Sequence, residues 1–383
     1  MTAAPPPIVL LVAGDPSGDL HASRLAAALK RRRPGLRVAA VGGPLLRGQA
    51  QEFLGDLASL GITGFTQPIR QLPLLIGLYR RLGAFMAERR PAALVCVDYY
   101  GFNRRVLGLA KRLGVPAFYY ISPQVWATRS GRVRALKRLV DRMLLIFPFE
   151  PKLYHEARVP YTFVGHPLLD ILPPARVSAR EGGPLRVGLL PGSRRSELAR
   201  HLPVLLGALA RIRKDYPRTE ALVFAAPSLP DHAYAPALAR GAELVRESDY
   251  RARATLDLAL TSSGTATLEN ALLGVPMVVL YKLSWPTYAI ARTLIRVPYI
   301  SMANLLAGRR LVPELVQREA TAERVAEEAL KLLEDPRRLT RLRRDLAGLR
   351  ELLGGPGATE RAAEAVLASI AAHQTPAAEE ARR

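Results

Sequence analysis

Short apolar runs alternate with longer, arginine-rich amphipathic segments along most of the chain. Ile8 to Ala13, Ala93 to Val97 and Met143 to Phe147 are three of these runs in the first half. Apolar runs of strand length that are separated by helix-length segments are typical of parallel strands covered on both faces by helices. The pattern therefore predicts an α/β fold built on parallel sheets.

The alternation begins again after a proline- and glycine-rich stretch at residues 171–184. Such a stretch is typical of a linker, and 383 residues exceed the size of one usual core. We therefore expect two Rossmann-like, doubly wound domains that face a central cleft. Their expected ranges are 1–172 and 185–335, and a C-terminal helical tail over 336–383 is expected to pack back on the body.

Composition narrows the class of function without defining it. Lys and Arg exceed Asp and Glu by 22 charges, and such an excess attracts nucleic acid, anionic membranes or phosphorylated small molecules. A generally basic, solvated surface is an equally good interpretation. The single cysteine, Cys96, excludes a disulfide within the chain and fits a reducing compartment. No signal-peptide pattern and no run of about eighteen apolar residues is found, and the six histidines show no metal-ligand spacing.

Residues 261–269 read as the end of a strand, a turn of small residues and the start of a helix. Such a turn lets the backbone approach a ligand, and the helix N-terminus that follows favours a phosphate group. Glu269, about one turn into the helix, would reach a sugar hydroxyl. The alternative is an ordinary capped helix. The residues predicted to hold a nucleotide diphosphate here are Ser263, Gly264, Thr265 and Ala266.

A second turn, at Gly192 and Ser193, places Arg194 at the start of another helix. A guanidinium group binds phosphate oxygens in pairs, so Arg194 suits the same diphosphate. Further along, polar side chains stand in apolar surroundings, where such residues often face a cleft. They are Asn304, which we include in the predicted donor site, Glu314 and Gln317.

Two loops of the first half carry carboxylates. Ser17, Gly18 and Asp19 follow the first strand, and this density of carboxylates favours hydroxyl recognition or acid–base chemistry over phosphate binding. Asp98 and Asn103 follow the apolar run that ends at Val97, at a strand end where open α/β sheets bind ligands. Asp98 is a candidate general base. The alternatives are that Asp98 only caps the next helix and that Ser17 or Asp19 caps the first helix.

Three more residues of the first half are candidates for an acceptor or sugar site. Ser122 and Trp126 follow another strand, and Trp126 is either a stacking platform for a sugar or part of the core. His166 lies in a Gly-His-Pro corner, where it is either a polar contact or a structural residue.

The segment Leu60 to Met86 mixes bulky apolar residues with arginines such as Arg70, Arg80 and Arg81. This mixture is typical of a helix that lies on an anionic lipid surface. It is equally typical of a crossover helix that buries one face on a sheet.

In their order along the chain, several of these motifs resemble the lipid-A-disaccharide synthase family, from about Leu11 to Glu334. The resemblance implies a fold of the two-Rossmann glycosyltransferase type, called GT-B. It also implies an inverting, metal-independent hexosyl transfer without a cofactor, from UDP-2,3-diacylglucosamine to 2,3-diacylglucosamine 1-phosphate. The matching strings cover residues 13–19, 121–127, 147–150, 164–168, 190–194, 263–269 and 304–306.

The resemblance also implies roles for particular residues. Arg194 and the Thr265 loop would neutralise the departing diphosphate, Glu269 would hold the ribose, and a carboxylate near Asp98 would deprotonate the acceptor hydroxyl. Members of the family act in the cytoplasm as peripheral proteins at the inner face of the cytoplasmic membrane. We therefore expect an anionic membrane surface and no nucleic acid among the partners, and a homodimer is one compatible assembly.

The chain departs from the family pattern at a few positions. Asp15 replaces the usual Glu. The family pattern Asp-x-Pro-Asp-Phe-Asn carries a second carboxylate that is a favoured candidate base, and here Tyr100 and Gly101 stand at the matching positions. The catalytic role then falls to Asp98 or Asp19. Thr128 replaces a tryptophan, so the acceptor is also open to change.

Two other functions remain as alternatives. One is a UDP-sugar 2-epimerase, or a related UDP-sugar transferase with a different acceptor. The other is a non-catalytic basic protein that binds membrane or nucleic acid; the chain lacks a compact basic recognition helix or an aromatic stacking motif for the latter.

Overall fold

The computed structural model describes residues 6–60, 72–126, 131–178, 182–246, 249–294 and 297–380. The chain forms two compact units: Met1–Asp170 together with Gly354–Arg383, and Ile171–Leu353. Each unit is built on one parallel sheet with helices, so the predicted α/β class with two Rossmann-like domains is confirmed.

The sheet of the first unit has its strands in the order β3-β2-β1-β4-β5-β6-β7. The order reverses between β1 and β4, whose ends are level because Ala13 pairs with Val97. In open α/β sheets this is where ligands bind. The strands are β1 (Ile8–Ala13), β2 (Arg37–Gly42), β3 (Glu52–Asp56), β4 (Ala93–Val97), β5 (Ala117–Tyr120), β6 (Arg142–Leu145) and β7 (Tyr161–Phe163).

Helices cover the first sheet, and its central strands are almost wholly buried, as continuous apolar runs require. Cys96 lies in this core, where burial raises the pKa of its thiol. Two short 3₁₀ turns span Ala58–Leu60 and Pro167–Asp170. The helices up to the linker are α1 (Pro16–Arg32), α2 (Pro44–Arg47), α3 (Leu72–Arg89), α4 (Tyr100–Leu113), α5 (Gly131–Leu139) and α6 (Glu150–Glu156).

The second unit has the strand order β10-β9-β8-β11-β12-β13, which is the order of a Rossmann fold. Its strands are β8 (Leu185–Leu190), β9 (Thr219–Phe224), β10 (Ala242–Val245), β11 (Leu258–Ser262), β12 (Met277–Tyr281) and β13 (Glu314–Val316). A 3₁₀ turn spans Asp231–Tyr234. The helices of the second unit are α7 (Arg195–Asp215), α8 (Ala235–Leu238), α9 (Arg251–Ala254), α10 (Thr265–Leu272), α11 (Trp285–Leu294), α12 (Met302–Ala307), α13 (Ala322–Leu333) and α14 (Pro336–Leu352). The final helix of the chain, α15 (Ala358–Glu380), belongs to the first unit.

The predicted tail is not one element, because α14 belongs to the second unit and α15 to the first. The buried guanidinium of Arg343 donates to the carbonyl oxygen of Gly274 at 3.0 Å, which fixes α14 to the second unit. Asp170 instead caps α15, because its carboxylate accepts from the backbone and hydroxyl of Thr359 at 2.9 and 2.7 Å. In the described ranges, no helix combines the length and apolarity needed to cross a bilayer.

Only part of the segment Leu60 to Met86 lies within the described residues, because residues 61–71, including Arg70, lie outside them. From Leu72 onward it forms α3, which buries one face: Leu78 and Phe85 are each 7% exposed. Two further apolar side chains of α3 stand in solvent: Leu74, near the start of the helix, is 50% exposed, and Ile76, on the face opposite Leu78, is 43% exposed. Helix α3 therefore packs on the sheet and also carries an exposed apolar surface.

Candidate active site

Two loops of the first unit meet where its strand order reverses. The loop after β1 contains Gly14 and Asp15, and the loop after β4 contains Asp98 and Tyr99. The Tyr99 ring packs so closely on Gly14 that a Cβ there would overlap it. Only glycine fits at position 14, and this contact sets the two loops against each other.

The backbone at Asp98 is held in an unusual conformation. Asp98 and Tyr99 have φ angles of 44° and 48°, a left-handed conformation that costs a non-glycine residue about 1–2 kcal/mol. The side-chain amide of Asn103 donates to the Asp98 carbonyl oxygen at 2.7 Å, and the Tyr119 hydroxyl donates to the same oxygen at 2.5 Å. These two side chains hold the strained turn and thereby aim the Asp98 carboxyl group.

Asp98 is poised to exchange a proton near neutral pH. Burial, and secondarily the negative charge of Asp15, raises its pKa to about 7, although the N–H of Tyr99 donates to Oδ1 at 2.8 Å. Burial also raises the pKa of Asp15. A carboxylate whose pKa lies near the working pH is suited to general-base catalysis.

The carboxylate next to Asp98 has a structural duty as well. Asp15 caps α1, because its Oδ1 accepts from the N–H of Gly18 at 2.6 Å. Ser17 and Asp19 were the alternatives for that role, but α1 begins at Pro16, before both of them. Ser17 is exposed in the first turn of α1, directly after the loop that follows β1, and it does not cap that helix.

Asp19 has a structural role, and its role as a catalytic base stays a prediction. Its buried carboxylate accepts from the backbone N–H groups of Gly43, Leu45 and Leu46 at 2.7, 3.0 and 3.1 Å. These are the free N–H groups at the start of α2, so Asp19 caps that helix. Asp98 is therefore the stronger catalytic candidate.

The acceptor candidates further along the sheet fall into two groups. Trp126 packs edge-on against Phe149, with ring centroids 5.0 Å apart. Phe147 lies between Trp126 and His166, and the centroids of the Phe147 and His166 rings are 5.1 Å apart. The Trp126 indole N–H is buried without a partner among the described residues. Burial lowers the pKa of His166 to about 3, so it is neutral, and its Nδ1 accepts from the N–H of Leu168. These rings form one aromatic cluster, and residues 127–130, including Thr128, lie outside the described residues.

Ser122 and Asn103 are positioning residues and not exposed contacts. The buried Ser122 hydroxyl lies 2.7 Å from the Tyr154 hydroxyl and donates to the carbonyl oxygen of Pro123. Asn103 is fully buried and serves the Asp98 turn. Both side chains are buried, and the acceptor contacts expected of them stay predictions.

In the second unit, the two predicted donor turns follow β8 and β11, again where the strand order reverses. Glu197, in the first turn of α7, contacts the donor turn that follows β8 and had no role assigned from the sequence. Its carboxylate accepts from the N–H groups of Ser193 and Arg194 at 3.1 and 3.2 Å and contacts the Arg194 guanidinium at 3.1 Å. Gly192 is required here, because its φ is 111° and a Cβ would lie 2.5 Å from Glu197. The backbone N–H groups of this turn are thus occupied, whereas the Arg194 side chain is 56% exposed.

His201 also escaped prediction. This buried imidazole accepts at Nε2 from the N–H of Lys282 at 2.9 Å, so its Nδ1 carries the proton and donates to the carbonyl oxygen of Pro191 at 2.8 Å. Burial lowers its pKa and keeps it neutral. His201 therefore ties the Arg194 turn to the end of β12.

The second turn leaves the N-terminus of α10 open. Gly264 adopts a φ of 146°, and both it and Thr265 are exposed. No side-chain acceptor caps this helix in the described part of the chain. Thr267 and Ser263 anchor the turn, because their hydroxyls donate to the carbonyl oxygens of Gly264 and Ile300 at 2.7 and 2.6 Å. A helix N-terminus without a side-chain cap, at the exposed Thr265, is suited to an anion such as phosphate.

Glu269 is fixed one turn into α10. Its carboxylate accepts from the Tyr250 hydroxyl at 2.9 Å and forms an ion pair with Arg253, whose guanidinium lies over the Phe224 ring. Nothing in the sequence indicated this contact between Arg253 and Glu269. The role of Glu269 in holding a ribose remains a prediction.

Asn304 is a positioning residue. It is fully buried; its Nδ2 donates to Val312 and Glu314, and its Oδ1 accepts from the N–H groups of Leu311 and Val312. These contacts use the whole capacity of its amide. Glu314 and Gln317 likewise hold the loops around Ser301 and Leu283. Their polar side chains order the chain behind α10, and the donor-site role expected for Asn304 stays a prediction.

An architecture of two Rossmann-like units, each with a parallel sheet whose strand order reverses, is that of the GT-B class. Solved structures confirm the fold. The glycotransferase of kitacinnamycin matches with a TM-score of 0.61 at 18% identity over 96% of this chain and 100% of its own. UDP-GlcNAc 2-epimerase from Neisseria meningitidis, bound to UDP-GlcNAc, matches with a TM-score of 0.62 at 12% identity over 94% and 99%. Likeness at this identity shows the fold alone.

Sequence comparison resolves the family within that class. The family model described as lipid-A-disaccharide synthetase matches residues 9–369. Lipid-A-disaccharide synthases of Geobacter metallireducens and Anaeromyxobacter dehalogenans are 43% and 44% identical over 96% and 94% of this chain, and the matches span 98% and 96% of those proteins. The chain belongs to the lipid-A-disaccharide synthetase family, as the resemblance of its motifs predicted.

Proposed function

We propose that this chain is an inverting glycosyltransferase of lipid A biosynthesis. It transfers 2,3-diacylglucosamine from its UDP conjugate to 2,3-diacylglucosamine 1-phosphate and releases the disaccharide and UDP. The observation that carries this proposal is the match to curated lipid-A-disaccharide synthases over nearly the whole length of both chains. The alternatives, an epimerase and a non-catalytic basic protein, lack comparable support.

In the first unit, Asp98 is the proposed general base. The acceptor hydroxyl oxygen bonds to the anomeric carbon of the donor sugar while its proton passes to Asp98. The bond from that carbon to the diphosphate breaks, and UDP leaves with the electron pair. Asn103 and Tyr119 keep the Asp98 turn in its strained form. Burial, and secondarily the charge of Asp15, keeps the pKa of Asp98 high enough for it to accept a proton.

In the second unit, the diphosphate is proposed to bind at the open N-terminus of α10 and to the Arg194 guanidinium. Arg194 now contacts Glu197, and it would exchange that carboxylate for the diphosphate oxygens. Glu269 is proposed to accept from a ribose hydroxyl. Among the residues that the structure describes, no group of three or more His, Cys, Asp and Glu is placed to hold a metal ion, and metal independence remains a prediction.

The membrane side of the proposal rests on α3. Its exposed leucine and isoleucine side chains and the net charge of +22 favour peripheral binding to an anionic membrane surface from the cytoplasm. Both substrates are acylated, so this placement would bring the enzyme to them. A homodimer also remains a prediction.

One observation favours a transferase with a changed acceptor as the second candidate. Gly101 is exposed, and a Cβ there would meet no atom within 4 Å. The family pattern has a carboxylate at this open position. Mass spectrometry of the products from UDP-diacylglucosamine and diacylglucosamine 1-phosphate tests the proposal, with wild type compared to Gly101→Asp. A disaccharide from wild type supports the main function, and a disaccharide from Gly101→Asp alone indicates a different natural acceptor.

A further inference from the structure

An open groove of about 590 Å³ lies along α4 in the first unit, between α3 and α5. Its walls carry three arginines and two tyrosines: Arg104, Arg105, Arg112, Tyr79 and Tyr100. None of the residues that line it is acidic. The reaction proposed above uses none of these side chains.

The sequence of α4 explains the groove. Gly101, Arg104, Arg105, Gly108 and Arg112 are spaced three, four, seven and eleven residues from the first, so they share one face of the helix. The opposite face is the buried one. At both glycines a Cβ would meet no atom within 4 Å, so the groove floor is open. Two small residues among three long cationic ones leave a channel with positively charged sides.

Within the described part of the chain, no acidic side chain balances the positive charge of this groove. The Arg112 guanidinium donates to the Tyr79 hydroxyl at 2.9 Å, and Arg132 lies over the Tyr100 ring at 5.1 Å. Among the described residues, no carboxylate pairs with these two arginines or with their neighbours on α4, whereas Arg37 and Arg89 of the same unit share Glu52. Clustered cations without a partner raise the local concentration of anions, and guanidinium groups bind phosphate oxygens in pairs.

An apolar surface continues from the tyrosine side of the groove. Leu72, Ile76 and Tyr79 are spaced i, i+4 and i+7 along α3, so they lie on the same face of that helix. Leu72 is 52% and Ile76 43% exposed. A ligand that satisfies both surfaces has a phosphate group joined to an apolar chain.

We propose that this groove binds the headgroup phosphate of an anionic phospholipid and so holds the first unit on the membrane. The inference rests on the membrane association proposed above and names its polar contact. An open groove with several cations on one helix face suits the many phosphates of a bilayer surface. The exposed side chains of α3 would then lie at the level of the acyl chains.

Co-sedimentation of the full chain with vesicles tests the proposal. The vesicles are phosphatidylcholine alone or phosphatidylcholine with phosphatidylglycerol at 3:1. The test variant is Arg104→Gln/Arg105→Gln/Arg112→Gln. The control removes the same charge from α14 of the second unit, as Arg337→Gln/Arg341→Gln/Arg344→Gln, at three exposed positions. Because each basic residue at an anionic surface contributes to binding, we expect affinity for the mixed vesicles to fall about ten- to a hundredfold in the test variant and less than threefold in the control.

A transferase assay with detergent-dispersed substrates separates this proposal from the proposed function. Turnover of the test variant should match wild type, with an unchanged melting temperature. Equal losses of vesicle binding in both variants, or no loss in either, would overturn the groove assignment. So would a raised KM for the acceptor phosphate with intact vesicle binding, since the groove would then hold substrate. An inactive wild type would refute the transferase alone, because the vesicle comparison does not depend on turnover.

Discussion

Replacing Asp98 with Asn is the sharpest test of the catalytic assignment. Asn tolerates the left-handed conformation of residue 98 better than most residues do. Its side-chain oxygen can still accept from the N–H of Tyr99, and the contacts of Asn103 and Tyr119 reach only the backbone of residue 98. The substitution therefore removes the base and leaves the turn intact.

The expected loss of activity is large. Removing a general base typically slows an enzyme by about 10²–10⁴-fold, which corresponds to about 3–5 kcal/mol of transition-state stabilisation. In wild type, turnover should fall about tenfold for each pH unit below about 7, where Asp98 becomes protonated. Asp15→Asn, which keeps a helix cap, should move this fall in activity to lower pH because it removes a charge that raises the pKa of Asp98.

Asp98→Asn should lower turnover but raise the free energy of unfolding. The pKa of Asp98 is about 7 in the folded chain and about 3.9 in an unperturbed aspartate. Between these values the folded state keeps a proton that the unfolded state has lost, so Asp98 reduces stability as the pH rises from about 4 to 7. At about 1.4 kcal/mol per pKa unit, the cost above pH 7 is at most about 4 kcal/mol. Asp98→Asn should therefore be more stable than wild type at pH 8.

Steady-state turnover across pH 5–9 and urea unfolding at pH 8 provide the two readouts. Asp56→Asn, at an exposed carboxylate of the same unit, is the control and should keep wild-type turnover. Turnover of Asp98→Asn within threefold of wild type would refute the assignment. A loss of turnover together with reduced stability would show that the substitution acts through folding.

The other predictions concern the donor site, metal dependence and α3. Arg194→Ala should raise the Kd for UDP, measured by calorimetry, by about ten- to a hundredfold, the effect of about 1.5–3 kcal/mol for a charge-assisted contact. The control Arg195→Ala, at an exposed neighbouring residue, should show no such change. Equal UDP affinities of Arg194→Ala and wild type would remove Arg194 from the site. Turnover should be the same in EDTA as in Mg²⁺ or Mn²⁺, and activity that EDTA abolishes and Mg²⁺ restores would contradict metal independence. Leu74→Ser with Ile76→Ser should weaken vesicle binding at unchanged stability, because both side chains are exposed. Leu78→Ala, at a side chain 7% exposed, should instead lower stability by about 2–5 kcal/mol, and equal vesicle binding by all three proteins would show that α3 does not contact lipid.

The fold was predictable because its main determinants are local. Each buried parallel strand appears in the chain as an apolar run, such as Val9 to Ala13, and the turns after β1, β8 and β11 contain glycines: Gly14, Gly192 and Gly264. The division of the last two helices between the units was not predictable. It depends on Arg343 and Asp170, whose partners lie far away in the chain, and neither residue has a local sequence signal for that contact.

The site was predictable to the level of its loops. Asp98 and Arg194 stand at strand ends, and that position is visible in the sequence. What the sequence could not show is which polar groups neighbouring backbone already occupies. Asp19 and Asn304 looked free in sequence but serve backbone N–H groups. Glu197 had a usable signal, because a glutamate three residues after a helix cap is typical of a capping box.

Simultaneous measurement of disaccharide and UDP shows whether the chain is the proposed transferase. The purified chain is incubated with UDP-2,3-diacylglucosamine and 2,3-diacylglucosamine 1-phosphate, and both products are quantified by mass spectrometry. We expect one disaccharide phosphate for each UDP released, and a turnover at pH 8 that is more than a hundredfold faster in wild type than in Asp98→Asn. UDP released without disaccharide, an epimerised UDP-sugar, or no turnover of either substrate would contradict it.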